Sequence, residues 1–278
     1  KNKKVLLKFH FQNGFYSGIK KFYPGSGFID FYFNNLVVLS ARGVLGVSKN
    51  AHKIKDDFVF KQIDHNIYDF IGLEQFNKKR WFSIKDMTII KNKIFISYTE
   101  EIKTDCWNTS IIAGEINLKK INFKKFFSSS DCIHVKNNPD KEFGGWQAGG
   151  RIVDFDENYL FFSVGDYRAR YLVQDNNSIN GKVIKINKEN SNYDIISIGH
   201  RNPQGLYYDK EFGFILETEH GPRGGDEINF INLNYNSNDK IQNFGWPIVS
   251  AGEHYGKKSD NIEKYKKYPL YKSHKKYG

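Results

Sequence analysis

Two short runs hold most of the side chains able to do chemistry: "GHRNPQG", residues 199–205, and "EHGPRGGDE", residues 219–227. In the first, Pro203 fixes a turn, so Arg201, Asn202 and Gln204 are presented from a rigid loop rather than a strand face. A guanidinium is a planar fork of donors suited to carboxylate and quinone oxygens. The second run has Gly at 221, 224 and 225 and Pro at 222. Glycine lets a backbone approach a ligand closely, and successive exposed carbonyls make a hard-cation site to which Asp226 or Glu227 could add. Each run alone is equally well read as a tight inter-strand turn, with Arg201 and Glu227 pairing to hold the two. Their occurrence together is far more specific. Arginine points the same way: in a Lys-rich chain, five of its seven arginines lie between 151 and 223.

These loops need a scaffold, and the chain supplies short strands. "NNLVVLSARG" (34–43), "KNKIFISYTEE" (91–101), "DENYLFFSVGD" (156–166) and "EFGFILETEHG" (211–221) are apolar runs, each opened by a polar turn. Each carries a hydroxyl at its end, Ser40, Ser97, Ser163 and Thr218, at intervals of 57, 66 and 55 residues. Repeats of this length suggest an all-β propeller whose four-stranded blades pack around an axis. The innermost strand of each blade would deliver its end to a shared central site, and the four hydroxyl-ended runs are expected to occupy equivalent blade positions. A generic β-sandwich is the alternative. At this spacing the 278 residues make four to five blades of a propeller that more often has six. The chain therefore reads as a single domain over 1–278 that stops before the ring closes.

Bulk composition narrows the function. The net charge is +11 and the pI about 9.3, but the lysines are scattered and no nucleic-acid motif accompanies them, so no nucleic-acid partner is expected. No run of 18 apolar residues occurs, so no membrane span is expected. Starting at Lys1 without an initiator Met or signal peptide, the chain reads as a mature form or a fragment. Cys106 and Cys132 lack metal-ligand spacing. A single disulfide and two free buried thiols both remain open.

"GHRNPQGL" and "TEHGPRGGDEIN", with "NFGWP" (243–247), "GGRIVDFDENYLFFSVGD" (149–166) and a late "YPLY", resemble the glucose/sorbosone dehydrogenase family, the soluble PQQ-dependent aldose sugar dehydrogenases. The resemblance is strong over about 149–270 and weak over 1–145. It implies a six-bladed β-propeller with PQQ and Ca²⁺ at one end of the axis, a periplasmic or secreted location, a sugar substrate and an electron acceptor the sequence does not identify. It further implies that Arg201 and Asn202, with Gln204 in the same loop, face PQQ. The carbonyls of Gly221 and Pro222 would hold the catalytic Ca²⁺. Glu227 and the backbone of Phe244 resemble a second, structural Ca²⁺ site, across an inserted "NYNSNDKIQ" (234–242). Asp166 would orient the catalytic base.

That base is where the chain departs. The family places a His four residues before the Arg of the "GGR" run; here the Arg is Arg151 and the residue is Gln147, 19 residues before Asp166. A neutral amide has no useful basicity. Upstream, "KKRWFSIKD" (78–86) replaces the family's Gly-rich run. Asp166 could act directly or through a water on Gln147. His220 reads more readily as a packing residue, and His134 sits in an unplaced loop. Three functions follow: oxidation of an aldose at C1, a catalytically degenerate Ca²⁺-stabilised binding module, and a Ca²⁺-dependent lactonase, for which no clean ligand set is visible.

Overall fold

The computed structural model describes residues 27–53, 58–72, 75, 84–222, 224–234, 241–252 and 272–273. Within them the chain forms a β-propeller arrangement of four blades. The first blade is β1 (Gly27–Tyr32), β2 (Asn35–Ser40), β3 (Leu45–Ser48) and β4 (Lys61–Gln62). After a short β5 (Asp64–His65), the second blade is β6 (Ile84–Ile90), β7 (Lys93–Lys103), β8 (Cys106–Glu115) and β10 (Lys124–Ser128). Short β9 (Lys120–Ile121) pairs with β5, and β11 (Ile133–His134) adds to β8. The third blade is β12 (Gly149–Asp154), β13 (Tyr159–Val164), β14 (Lys182–Asn187) and β15 (Tyr193–Ile198), and β19 (Gln242–Asn243) pairs parallel to β15. The fourth shows β16 (Pro203–Asp209), β17 (Phe214–Glu219) and β18 (Glu227–Asn232). The helices whose bounds lie within the described residues are single 3₁₀ turns, and no described helix is long and apolar enough to cross a membrane.

Period-two alternation explains why these strands are apolar on both faces. On β7, Ile94 and Ile96 enter the core between the first and second blades with Val37, Leu39 and Ile84. Phe95, between them, enters the next core with Ile111, Phe127, Leu160 and Phe162. Phe161, between Leu160 and Phe162, turns to Val183, Ile215 and Ile231 against the fourth blade. Each interior blade thus buries two faces. Burying one such side chain is worth about 1.5–3 kcal/mol.

The four hydroxyl-ended runs occupy equivalent positions, as expected. Ser40, Ser97, Ser163 and Thr218 lie on β2, β7, β13 and β17, the second strand of each blade. The first strands β1, β6, β12 and β16 pack side by side and line the axis. Two of the hydroxyls link neighbouring blades: Ser97 Oγ donates to Gly150 O at 2.5 Å and Ser163 Oγ to Pro203 O at 2.8 Å, each tying its blade to the first strand of the next. A second tie repeats beside it. Asp30 accepts from Ile89 N at 2.6 Å, and Asp86 from Ile152 N at 2.9 Å. Cys106 and Cys132 form a disulfide, which closes the alternative of free thiols.

Candidate functional site

Loops at one end of the blades bring together residues distant in sequence. A cavity of about 300 Å³ is lined by Trp146, Gln147, Arg168, Arg201, Asn202, His220, Gly221, Pro222, Gly224 and Asp226. Gln147 precedes β12, where Gly149 and Gly150 take φ of +61° and +108° and disrupt the pairing with β13. A Cβ on Gly150 would lie 2.3 Å from Lys85 Cβ, so only glycine passes there. This kink turns the chain from the strand into the cavity wall.

Asp166 follows β13 and sits behind that wall, fully buried. Its Oδ1 accepts from Arg168 N at 2.8 Å and its Oδ2 from Trp246 Nε1 at 2.8 Å. Gln147 satisfies both neighbours in one amide orientation: its nitrogen donates to Asp166 Oδ1 at 2.8 Å and its oxygen accepts from Arg201 Nη2 at 2.8 Å. Burial raises the Asp166 pKa, while the Arg201 and Arg170 guanidiniums oppose the rise. Tyr167 and Arg168 follow with φ of +48° and +66°, a left-handed turn that non-glycine residues rarely adopt. Tyr167 anchors it, its hydroxyl within 3.1 Å of Thr99 Oγ1 and 2.5 Å of Thr109 Oγ1, and burial pushes its pKa up to about 12.

Arg201 and Asn202 are held from below by Glu219 Oε2, which accepts from both backbone amides. Arg201 Nη1 donates to the carbonyls of His220 and Gly221 at 2.6 and 2.8 Å, and its guanidinium lies 5.5 Å from the Trp246 ring centroid. Those carbonyls therefore already face a cation. The wall is bare backbone: a Cβ on Gly221 would sit 1.6 Å from Gly225 O. Arg168 stacks over Trp146 at 4.9 Å on the opposite rim.

The structure thus gathers Gln147, Asp166, Arg201, Asn202, Gly221 and Pro222 at one end. It does not gather them all. Gln204 is exposed on β16, outside this lining; its carbonyl accepts from Arg151 Nε at 3.1 Å. Glu227 is half-buried at the start of β18 opposite Glu219, with its Oε1 3.5 Å from Ala251 N. The Phe244 ring stacks on His200 at 4.9 Å, and its backbone N donates to Ile198 O at 2.9 Å. His134 is exposed on β11. His220 is not a packing residue: its side chain is 60 % exposed on the cavity rim, Nδ1 3.4 Å from Asp226 Oδ2. Most of the "KKRWFSIKD" and "NYNSNDKIQ" runs, the "YPLY" run and Arg223 lie outside the described residues.

Sequence reasoning missed Trp246, Glu219, Arg168 and Trp146. The "NFGWP" run was a signal for Trp246. For Glu219 the signal was the strand alternation that puts it on the face of Glu217.

The cavity also suits the groups the resemblance implies. Guanidinium and amide donors meet quinone and carboxylate oxygens, and a carbonyl with a second lone pair can serve a hard cation.

Comparison with known proteins agrees. The model of the Glucose / Sorbosone dehydrogenase family matches residues 89–277. The chain is 28% identical over 179 residues to aldose sugar dehydrogenase YliI of Escherichia coli (strain K12), covering 59% of this chain and 44% of that protein. It is 29% identical over 132 residues to quinoprotein glucose dehydrogenase B of Acinetobacter calcoaceticus, covering 37% and 26%. The chain therefore spans less than half the length of these curated relatives. Among solved structures, the soluble aldose sugar dehydrogenase of Escherichia coli in its apo-form matches with a TM-score of 0.58 at 21% identity, over 80% of this chain and 62% of that one. The PQQ-bound form of the Streptomyces coelicolor aldose sugar dehydrogenase matches at 0.57 and 16%, over 84% and 69%. At such identities these structures speak for the fold. With two-thirds of its length under the family model and the family's motifs around one cavity, the chain belongs to the glucose/sorbosone dehydrogenase family.

Proposed function

We propose that this end of the propeller is the site of an oxidoreductase that takes an aldose sugar at C1, with PQQ and Ca²⁺. The observation that carries the reading is the convergence of Arg201 and Asn202 from one run with Gly221 and Pro222 from the other around a single cavity. Arg201 and Asn202 would hold PQQ, and the Gly221 and Pro222 carbonyls would hold Ca²⁺. When bound, the pair would supply a two-electron acceptor polarised by a metal ion.

The chain's own residues do the rest. Arg201 places a fixed positive charge beside the acceptor without any reorganisation, because Glu219, Trp246 and two carbonyls already position it. Asp166, buried behind the Gln147 amide, would take up the proton of the sugar's C1 hydroxyl through a water held by Gln147. Burial raises its pKa, which makes it a better base than a solvated carboxylate. Glu227 and Phe244 would stabilise the loop, in keeping with a second Ca²⁺ site. The exposed apolar side chains of the fourth blade, Ile228 (76 %) and Phe230 (53 %), support a larger ring of six blades in one domain. The disulfide supports a periplasmic or secreted location, where thiols stay oxidised.

One observation favours a second reading. Gln147 cannot titrate, so the same cavity could serve as a Ca²⁺-stabilised binding module without turnover. Dye reduction by the protein with PQQ, Ca²⁺ and a panel of aldoses separates the two. Turnover supports the oxidoreductase, and sugar or PQQ binding without turnover supports the module.

A further inference from the structure

Beneath the Arg201 loop lies a second polar cluster that the sugar chemistry does not use. Glu217 and Glu219 stand two apart on β17 and so point the same way, toward the third blade. His200, at the end of β15, meets them. His200 and Glu217 are fully buried, and Glu219 is 6 % exposed. His200 Nδ1 lies 3.5 Å from Glu217 Oε2 and 3.6 Å from Glu219 Oε1, and one ligand atom from each residue falls within 4.8 Å of the others.

These separations are long for hydrogen bonds. Neither His200 Nδ1 nor Glu217 Oε1 has a hydrogen-bond partner, although both are buried. Leaving such buried atoms unpaired is costly, so a bound group that pairs them is favoured. The same distances suit the edges of a coordination tetrahedron: ligands 2.0–2.2 Å from a metal stand about 3.3–3.6 Å apart. The surroundings are those of metal ligands. His200 Nε2 is tied to Ser197 Oγ at 2.8 Å, which fixes the ring. Asn229 Nδ2, opposite Glu217 across the sheet, donates to Glu217 Oε2 at 2.9 Å and to Glu219 Oε1 at 3.0 Å, which fixes both carboxylates.

We propose that His200 Nδ1, Glu217 and Glu219 Oε1 form a structural site for a Zn²⁺-class dication. A neutral imidazole, two carboxylates and a divalent ion sum to zero charge, which suits a dry interior. The imidazole nitrogen selects a borderline metal over Ca²⁺, which prefers an all-oxygen shell. The metal links β17 to the end of β15. Through Glu219, whose other oxygen accepts from Arg201 N and Asn202 N, it stiffens the loop that faces the cavity. Because the site is buried, the ion enters during folding.

The test is independent of PQQ, sugar and turnover. The full chain is refolded in excess Ca²⁺ with and without Zn²⁺, then desalted. Metal content, thermal midpoint and X-ray absorption are measured on wild type and on Glu217→Gln. Wild type should retain about one Zn²⁺ per chain, melt about 5 °C or more above the Zn²⁺-free form, and show a nitrogen and oxygen shell at about 2.0–2.2 Å. Glu217→Gln should bind Zn²⁺ more than about 10-fold more weakly. Wild type that retains no Zn²⁺ overturns the proposal and leaves His200 as an imidazolium between two carboxylates. Equal Zn²⁺ retention by Glu217→Gln overturns it too, because the ion then sits elsewhere. If Glu217→Gln does not fold, the wild-type metal content and absorption spectrum decide alone.

Discussion

Asp86 on β6 holds the Arg151 guanidinium of β12 at 2.7 Å, while its second oxygen accepts from Ile152 N at 2.9 Å. One carboxylate thus joins the second and third blades by both side chain and backbone. Burial dominates its titration and raises its pKa to about 6, with Arg151 opposing the rise. Between its ordinary value of 3.8 and about 6 the folded chain holds a proton that the unfolded chain has released. Stability must therefore fall as pH rises through that window. Relative to Asp86→Asn, wild type should lose stability from pH about 4 to about 6, with a constant difference above it. Urea midpoints across the window measure this; a difference that grows with pH contradicts it.

Ser163 Oγ donates to Pro203 O at 2.8 Å and accepts from Arg151 N at 3.1 Å, with no exposure to solvent. Ser163→Ala should cost about 1–3 kcal/mol, because a buried carbonyl loses its partner. The loss should show as faster amide exchange in both β12 and β16. Ser40→Ala is the control. Its hydroxyl accepts from Arg42 N and Val44 N within its own turn, so exchange should change only there.

The disulfide ties the β7–β8 hairpin to the segment before β11 across 26 residues. Replacing Cys106 and Cys132 by Ala should lower stability by about 3 kcal/mol, chiefly by freeing the unfolded chain. A denaturation midpoint unchanged by reductant would show that the bridge does not form in the protein.

Gln147→His tests the proposed oxidoreductase at its most unusual residue. An imidazole there would stand beside Asp166, where the amide now binds at 2.8 Å, and its far nitrogen could accept a proton near neutral pH. Dye reduction with PQQ, Ca²⁺ and aldose should rise on the order of 10²-fold if only the base is missing. A variant slower than an active wild type would show that no base is missing and leave the role with Asp166. Inactivity in both proteins, without PQQ binding, would favour the binding module.

The sequence by itself determined the β class, the repeat and the two runs that line the cavity. Apolar runs at intervals of 57, 66 and 55 residues mark equivalent strands, because period-two alternation and turn residues are local properties. Arg201, Asn202, Gly221 and Pro222 were legible because their runs are contiguous and specific. Tertiary structure decided which strand lines the axis, since that depends on how neighbouring blades pack. It also decided that Gln204 points outward while Trp246, distant in sequence, reaches Asp166 at 2.8 Å. The "ETE" of β17 looks solvent-facing as letters. Its glutamates are buried because that face of the fourth blade meets the third, where His200 waits. A strand's two faces are chemically equivalent until a second sheet covers one of them, and that choice is made only by packing.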